Sequence, residues 1–557
     1  MDNNGTNTQK MLSELLKKEE EDLARTLAPK HGIPYLDLSR VTVDLDSLRL
    51  ISENIARENQ IAVIQATGKK IQVITTNPDR SGNRDILEDL ARKKYQIQLF
   101  LVSPTSLKKA LDRYAEIPKF EATQPGVVDL TRAGENFIDN LKSIARAKSA
   151  VNILLEEKEG SSKQASSVLE ALLGGALAID ASDVHIEGGE GMARVRFRMD
   201  GVLQDVIDIP TALFNTMLSR LKLVSKMKLN IKDKPQDGRF TIITTKEKIE
   251  VRNSTLPGPN GESVVMRLLL PKAIATTFEN LGMQPQFLEM MIKELEKPNG
   301  MILTTGPTGS GKTTTLYAFI KKLSSPEVKI ITIEDPIEYH LPHITQTQVD
   351  HSRGYDFASG LRSIVRQDPD IILVGEIRDL ETAQIAVQAA LTGHLVFSTL
   401  HTNNAAGVFP RLIDLGVKPS IIAPAMNVAM AQRLLRKLCQ KCKKEIDPSA
   451  EEKKIITEVV PLLPALYKKT LAPDFKIWKG EGCEACNFTG YKGRIGVYEA
   501  ILVDDEIERL LITNPAEADI KDAAVKQGML TMFQDGILKI LDGITSLDEL
   551  QRIVSED

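Results

Sequence analysis

From Asn299 to Thr315 the chain runs NGMILTTGPTGSGKTTT: a short apolar strand, a glycine-rich turn, then a segment that continues through Leu316, Phe319 and Ile320 at helical spacing. Within it Gly306, Pro307, Thr308, Gly309, Ser310, Gly311, Lys312 and Thr313 spell G-x-x-x-x-G-K-[ST] in the strand-to-helix context that gives the motif its meaning, and Thr314 follows. Glycines let the backbone curl until several N–H groups face one point, and the helix N-terminus adds partial positive charge there. Lys312 is expected to neutralise β- and γ-phosphate oxygens, and the Thr313 hydroxyl to take a position on Mg²⁺. The stretch therefore predicts binding of a nucleoside triphosphate with Mg²⁺.

Phosphoryl transfer also needs carboxylates to support the metal and polarise water. Two acidic clusters close strand-like runs downstream: Ile330 to Ile333 ending in Glu334 and Asp335, with Glu338 beyond, and Ile371 to Val374 followed by Gly375 and Glu376. The second has the form of a Walker B strand, but Gly375 stands where an aspartate is common. No side chain can bind metal there, so Glu376 and the Glu334 cluster must share the work. Which glutamate is the base stays open at this level. A third run, His394 to Asn403, carries a histidine at each end, and His401 is a candidate γ-phosphate sensor or water-orienting group.

All four cysteines fall in two C-x-x-C pairs, Cys439/Cys442 and Cys483/Cys486. Paired thiolates at this spacing suit a closed, structural tetrahedral Zn²⁺ that would pin an excursion of the chain. Four cysteines in 557 residues make no disulfide framework.

The length implies three or four domains at roughly 150 residues each. Charge is nearly balanced, with 71 Lys+Arg against 75 Asp+Glu, 26% charged and 42% hydrophobic residues. That composition excludes a chain disordered throughout and a generally basic nucleic-acid coat. Apolar runs fall far short of the ~20 residues of a spanning helix. The N-terminus has no signal-like apolar core, so a cytoplasmic protein is expected.

Leucines 12, 15, 16, 23 and 27 predict an amphipathic first helix stopped at Gly32-Ile33-Pro34, followed by a small α/β domain to about residue 118. Residues 119–162, preceded by Pro118 and holding Pro125, Gly126, Gly134 and Gly160, read as a linker interrupted by a helix near Phe137 to Glu156. A second α/β domain is expected over 163–271 and an ATPase domain over 272–557, with the cysteine element at 436–490. Between Arg220 and Arg239 seven basic residues face two acidic ones, read as a solvated face or as a surface for phosphates, a neighbouring subunit or an anionic membrane. No aromatic residue is interleaved, which argues against a nucleic-acid groove. The helices after Asp504 read as ordinary amphipathic packing.

In order, GPTGSGKTTT, ITIEDPIE, DPDIILVGEIRD and TGHLVFSTLHTNN resemble the Walker A, Asp box, Walker B and His box of the secretion ATPase superfamily. The likeness continues through ASDVHIE, VRFRMDG, PQDGRF and NSTLPGPNGESVVMRLL upstream, and GRIGVYE downstream. It is the pattern of the type IV pilus assembly ATPases and the closely similar type II secretion ATPases, over about residues 165 to 550. Gly188-Gly189 after HIE and the loop Gly258 to Gly261 depart from it.

The resemblance implies a RecA-like P-loop ATPase domain preceded by two smaller α/β domains. It implies a homo-hexamer on the inner face of the bacterial cytoplasmic membrane, working with a platform protein and a cytoplasmic adaptor, without nucleic acid. Arg239 and Arg252 match the arginines that complete the nucleotide site. Arg362, Arg366, Arg378 and Arg494 match further members of that set, and Arg378 and Asp335 join the loop as nucleotide-binding candidates. Guanidinium suits charge developing on a transferring phosphoryl group. The leading expectation is a motor that drives assembly of pilin-like filaments, with type II secretion as the alternative. Retraction or DNA-transfer ATPases are disfavoured because such relatives usually lack both the N-terminal domain and the tetracysteine element. Intact Lys312, Glu334 and Glu376 argue against an ATP-binding scaffold without turnover. No arginine-leucine-glycine signature of cyclic-dinucleotide-binding relatives occurs near Met11 to Leu27, so no regulatory nucleotide is expected there.

Overall fold

Glycine and proline breaks between short apolar runs resolve into separate sheets in the computed structural model, which describes residues 3–116, 126–131, 137–156, 162–273 and 275–555. Pro118, Pro125, Gly134 and Gly160 of the expected linker lie outside the described residues. The chain divides into two compact units, Met1–Ala178 with Asp183–Phe197 and Asp205–Leu268, and Ile179–Ser182 with Arg198–Gln204 and Leu269–Asp557. Among the described residues no helix is long and apolar enough to cross a membrane.

In the first unit, β1 (Ile61–Thr67) and β2 (Lys70–Thr75) form an antiparallel pair and β3 (Gln96–Leu101) lies parallel to β2. Their apolar residues pack with Leu107, Ala110 and Leu111 of the helix Pro104–Asp112. The first helix, Asn3–Leu27, runs into a 3-10 turn, Ala28–His31, which stops at Gly32 with φ 69°, a left-handed conformation that suits glycine. Leu15, Leu16 and Leu23 of its expected stripe are exposed. The helix is instead tied down by Glu21, whose carboxylate accepts from Ser103 Oγ at 2.7 Å and Ser106 Oγ at 2.6 Å.

A seven-stranded sheet follows, built from β4 (Val127–Asp129), β5 (Asp183–Gly188), β6 (Met192–Met199), β7 (Val202–Pro210), β8 (Gln236–Ile243), β9 (Lys248–Gly258) and β10 (Gly261–Leu269), in the order β4-β8-β9-β10-β5-β6-β7. Strand β4 lies within the span read as linker; three residues are too few to show a period. The basic stretch is not all a solvated face. Arg220 and Lys222 are buried, Arg220 against Glu170 at 3.4 Å and Lys222 against Glu262 at 2.6 Å, on the helix Thr211–Val224, whose other buried residues are apolar.

The second unit holds the larger core. Strands β11 (Gly300–Thr305), β12 (Ile330–Glu334), β13 (Thr345–Gln348), β14 (Ile371–Val374), β15 (Leu395–Leu400) and β16 (Met426–Leu438) are parallel. Two short strands, β17 (Lys443–Ile446) and β18 (Ile477–Gly480), pair antiparallel, and β19 (Tyr491–Leu502) returns antiparallel to β16. The order is β13-β12-β14-β15-β11-β16-β19. Every residue of β11, β12, β14 and β15 is buried, as the near-continuous apolar runs of a covered parallel sheet require. Ile507, Leu511, Met532 and Phe533 of the last helices, and Met529 between two of them, join this core.

Candidate active site

Parallel strands deliver the residues at their C-terminal ends to one edge of a sheet, where α/β proteins bind ligands. Here β11 ends in the glycine loop, the neighbouring β15 ends at His401, and β14, next to β15, ends just before Glu376. Gly306 and Gly311 have φ of 146° and 92°. A Cβ at Gly306 would lie 2.6 Å from Gln432 O, and one at Gly311 would lie 2.8 Å from Gln432 Nε2, so neither position admits a side chain. The helix Lys312–Leu323 begins directly after the loop.

Lys312 Nζ donates to Gly306 O at 2.7 Å and Pro307 O at 3.2 Å, which sets the ammonium inside the loop. Burial lowers its pKa from 10.5 to about 8, Glu376 opposes the shift, and the positive charge of Arg433 adds to it. Ser310 Oγ is buried without a hydrogen-bond partner, and Thr313 is exposed in the first helical turn. An unpaired hydroxyl, a desolvated ammonium and a helix N-terminus form a donor set for a polyanion.

The two glutamates sit in different environments. Glu334 is buried, and its carboxylate accepts from Tyr317 Oη, from Thr332 Oγ1 at 2.7 Å and from Gln346 Nε2 at 3.1 Å. Glu376 makes an ion pair with Arg378, and its Oε2 lies 3.6 Å from His401 Nε2. The hydrogen bond from Arg378 to Glu376 raises the arginine pKa. Asp335 Oδ2 stands 3.9 Å from His351 Nε2. A Cβ at Gly375 would be a tight fit, 3.2 Å from Ile333 O and 3.3 Å from Glu334 Cα, so a side chain there would press on the end of β12.

His394 is not brought to this edge. It sits at the opposite end of β15, with Nδ1 3.0 Å from Ala389 O. Arg362 pairs with Glu381, and Arg494 lies opposite Arg436 in the β16–β19 ladder. In the first unit, Arg239 on β8 and Arg252 on β9 are direct cross-strand partners, and Arg239 Nη1 lies 4.0 Å from Glu250.

Gln432 and Arg433 escaped the sequence reading. They follow Ala431, which pairs with Thr305 at the end of β11, so β16 carries them past the loop. Gln432 Oε1 accepts from Thr315 Oγ1 at 2.8 Å, and Arg433 donates to Asn403 O at 2.7 Å. The only sequence signal was a polar pair inside the apolar run AMNVAMAQRLL.

The cysteines converge because β16 and β19 are antiparallel, with Leu438 opposite Tyr491, and one C-x-x-C pair lies just beyond each end. Cys439–Cys483 and Cys442–Cys486 sulfurs are 3.9 Å apart, and Cys483–Cys486 are 3.8 Å apart. A tetrahedron with zinc–sulfur arms of about 2.3 Å has edges of about 3.8 Å, so the four sulfurs fit Zn²⁺.

A parallel sheet with this loop, a glutamate two strands away at the same edge and a tetracysteine excursion defines a P-loop ATPase of the secretion type. Residues 157–552 match the family model described as type II/IV secretion system protein, and the chain belongs to that family. It is an ATPase. Residues 31–120 match the MshEN domain. The type IV pilus assembly ATPase PilB of Myxococcus xanthus is 35% identical, covering 98% of this chain and 93% of its own. The type II secretion system ATPase E of Vibrio cholerae is 39% identical, covering 83% and 88%. The fold of the ATPase DotB of Yersinia pseudotuberculosis is similar at a TM-score of 0.50 and 20% identity, over 72% of this chain and 94% of that one.

Proposed function

We propose that this chain is the hexameric motor that drives assembly of type IV pilin-like filaments through an inner-membrane platform protein, from the cytoplasmic side. What favours pilus assembly over type II secretion is coverage. The Myxococcus pilus ATPase matches along 98% of the chain, and the pilus ATPase TfpB of Acinetobacter baylyi along 96%. The Vibrio type II secretion ATPase matches along 83%.

In this reading Gly306 to Thr314 cradle the phosphates of ATP, and Lys312 neutralises their charge. Thr313 and Glu376 would hold Mg²⁺, which neutralises charge building on the transferring phosphoryl group. Glu376 polarises the attacking water and His401 orients it. Glu334 keeps the end of β12 in register, because its carboxylate already has three donors. Asp335 and Arg378 line the same edge. Arg239 and Arg252 stand directly opposite each other across the β8–β9 ladder, and two adjacent guanidiniums present the forked donors that suit an oxyanion, which supports an anion-binding role. Cys439, Cys442, Cys483 and Cys486 hold Zn²⁺ and close the excursion.

Replacing the chromosomal gene with the K312A form tests the filament assignment. The reading expects loss of surface filaments with the chain still present at normal abundance. Normal filaments, or filaments intact while protein secretion stops, would overturn it.

A further inference from the structure

The turn after β15 is held from two sides. Toward the nucleotide loop, Thr402 N donates to Thr305 Oγ1 at 2.7 Å, and Arg433 Nη2 donates to Asn403 O at 2.7 Å. On the far side, Ala405 N donates to the buried Glu499 at 2.8 Å and Asn404 Nδ2 donates to Glu517 at 2.7 Å. His401, which faces Glu376, is the first residue of this turn.

Arg433 is the part of this bracing that the named motifs do not include. Its guanidinium is half-buried, its second hydrogen bond goes to Gln432 O at 3.0 Å, and a Cβ on Gly306 would lie 2.9 Å from its Nη1. Arg433 therefore fills the notch that the first glycine of the loop leaves open. A half-buried cation whose partners are two main-chain carbonyls gains less than one in an ion pair, so charge pairing does not explain it. A planar fork does, because its fixed donors hold Asn403 O and Gln432 O in one geometry, which a flexible ammonium stem does not fix.

We infer that Arg433 is a positioning residue for hydrolysis: it ties the flank of the nucleotide loop to the turn after β15 and so keeps His401 in place against Glu376. The inference rests on the reading of Glu376 and His401 as the water-handling pair.

The test uses the full chain and compares wild type, R433A, R433K and E376Q by steady-state hydrolysis, with binding of a fluorescent ATP analogue measured separately. R433A should lose kcat by about tenfold to a hundredfold while KM and the analogue Kd stay within about threefold. R433K should recover part of the loss, and added guanidinium ion should restore part of the R433A turnover but none of that lost in E376Q. A kcat within about twofold of wild type, or a loss carried by KM and Kd alone, would overturn the inference. If R433A does not fold, the kcat-against-KM split of R433K decides in the same way. An inactive E376Q beside a normal R433A would sink this inference alone, whereas an active E376Q would sink the reading it rests on.

Discussion

Glu376 Oε2 lies 3.6 Å from His401 Nε2 while Arg378 pairs with its other oxygen. Glu334, by contrast, is closed in by Tyr317, Thr332 and Gln346. A base has to reach water and pass on a proton, and only Glu376 has a histidine at hand to help. Glu376→Gln should therefore cut kcat by about a hundredfold or more while nucleotide still binds, and Glu334→Gln by less than about tenfold. Single-turnover hydrolysis of both variants checks this. A silent Glu334→Gln beside an active Glu376→Gln would reverse the assignment.

Tyr317→Phe strips one donor from the buried Glu334 carboxylate. Leaving such a group short of a partner costs about 1–3 kcal/mol, so the thermal midpoint should fall by several degrees while the residual activity follows the folded fraction. An unchanged midpoint would mean that the hydroxyl contributes nothing there.

Much of this site was legible before any coordinates, and the part that was not has a physical cause. The loop 306–313 and the C-x-x-C pairs announce themselves because their chemistry permits few spellings. Glu334 and Glu376 look alike in sequence, each closing an apolar run; they differ only in which side chains surround them, and Gln346 is twelve residues away from Glu334. Arg239 and Arg252 could be singled out by resemblance, but their pairing depends on the register of the β8–β9 hairpin. Gln432 and Arg433 reach the loop through sheet order alone, as β16 is next to β11 despite more than a hundred intervening residues. Strand β4 is too short and β13 too short and polar to show a period, and Arg220 and Lys222 read as surface because their partners Glu170 and Glu262 are 50 and 40 residues away in sequence.

That register makes a distinct prediction for the two arginines. Arg239 stands opposite Arg252 and also 4.0 Å from Glu250, and exposed charge contacts contribute little, so Arg239→Gln and Arg252→Gln should each leave the thermal midpoint nearly unchanged. Turnover should fall by about a hundredfold or more, the scale of a guanidinium acting on a transferring phosphoryl group. Calorimetry with steady-state hydrolysis separates the two effects, and a destabilised but active variant would contradict the assignment.

Lys312 sets a pH dependence. Burial holds its pKa near 8, below the ordinary 10.5, and a phosphate placed against it favours the charged form. Below pH 8 the free protein already carries the proton; between 8 and 10.5 it has lost one that the unfolded chain keeps, so free-state stability rises with pH across that window. ATP binding at about pH 9 should then take up a proton, and at about pH 6.5 it should not. Titration calorimetry in buffers of different ionisation enthalpy reads this directly, and equal uptake at both values would contradict it.

The cysteine site predicts one Zn²⁺ per chain. Chelation, or Cys439→Ser with Cys483→Ser, should lower the thermal midpoint and open the excursion between β16 and β19 to protease, since a closed sulfur site contributes to folding itself. Elemental analysis with limited proteolysis checks both points, and a metal-free chain of undiminished stability would contradict the fit.

The most direct test of the motor assignment is to trap the chain with ATP as Glu376→Gln, isolate it from native membranes in mild detergent, and identify by mass what accompanies it. The account predicts a six-membered ring with an inner-membrane platform protein and a major pilin. Recovery with pseudopilins and secretion components instead, or as a lone chain under conditions that preserve other membrane complexes, would contradict it.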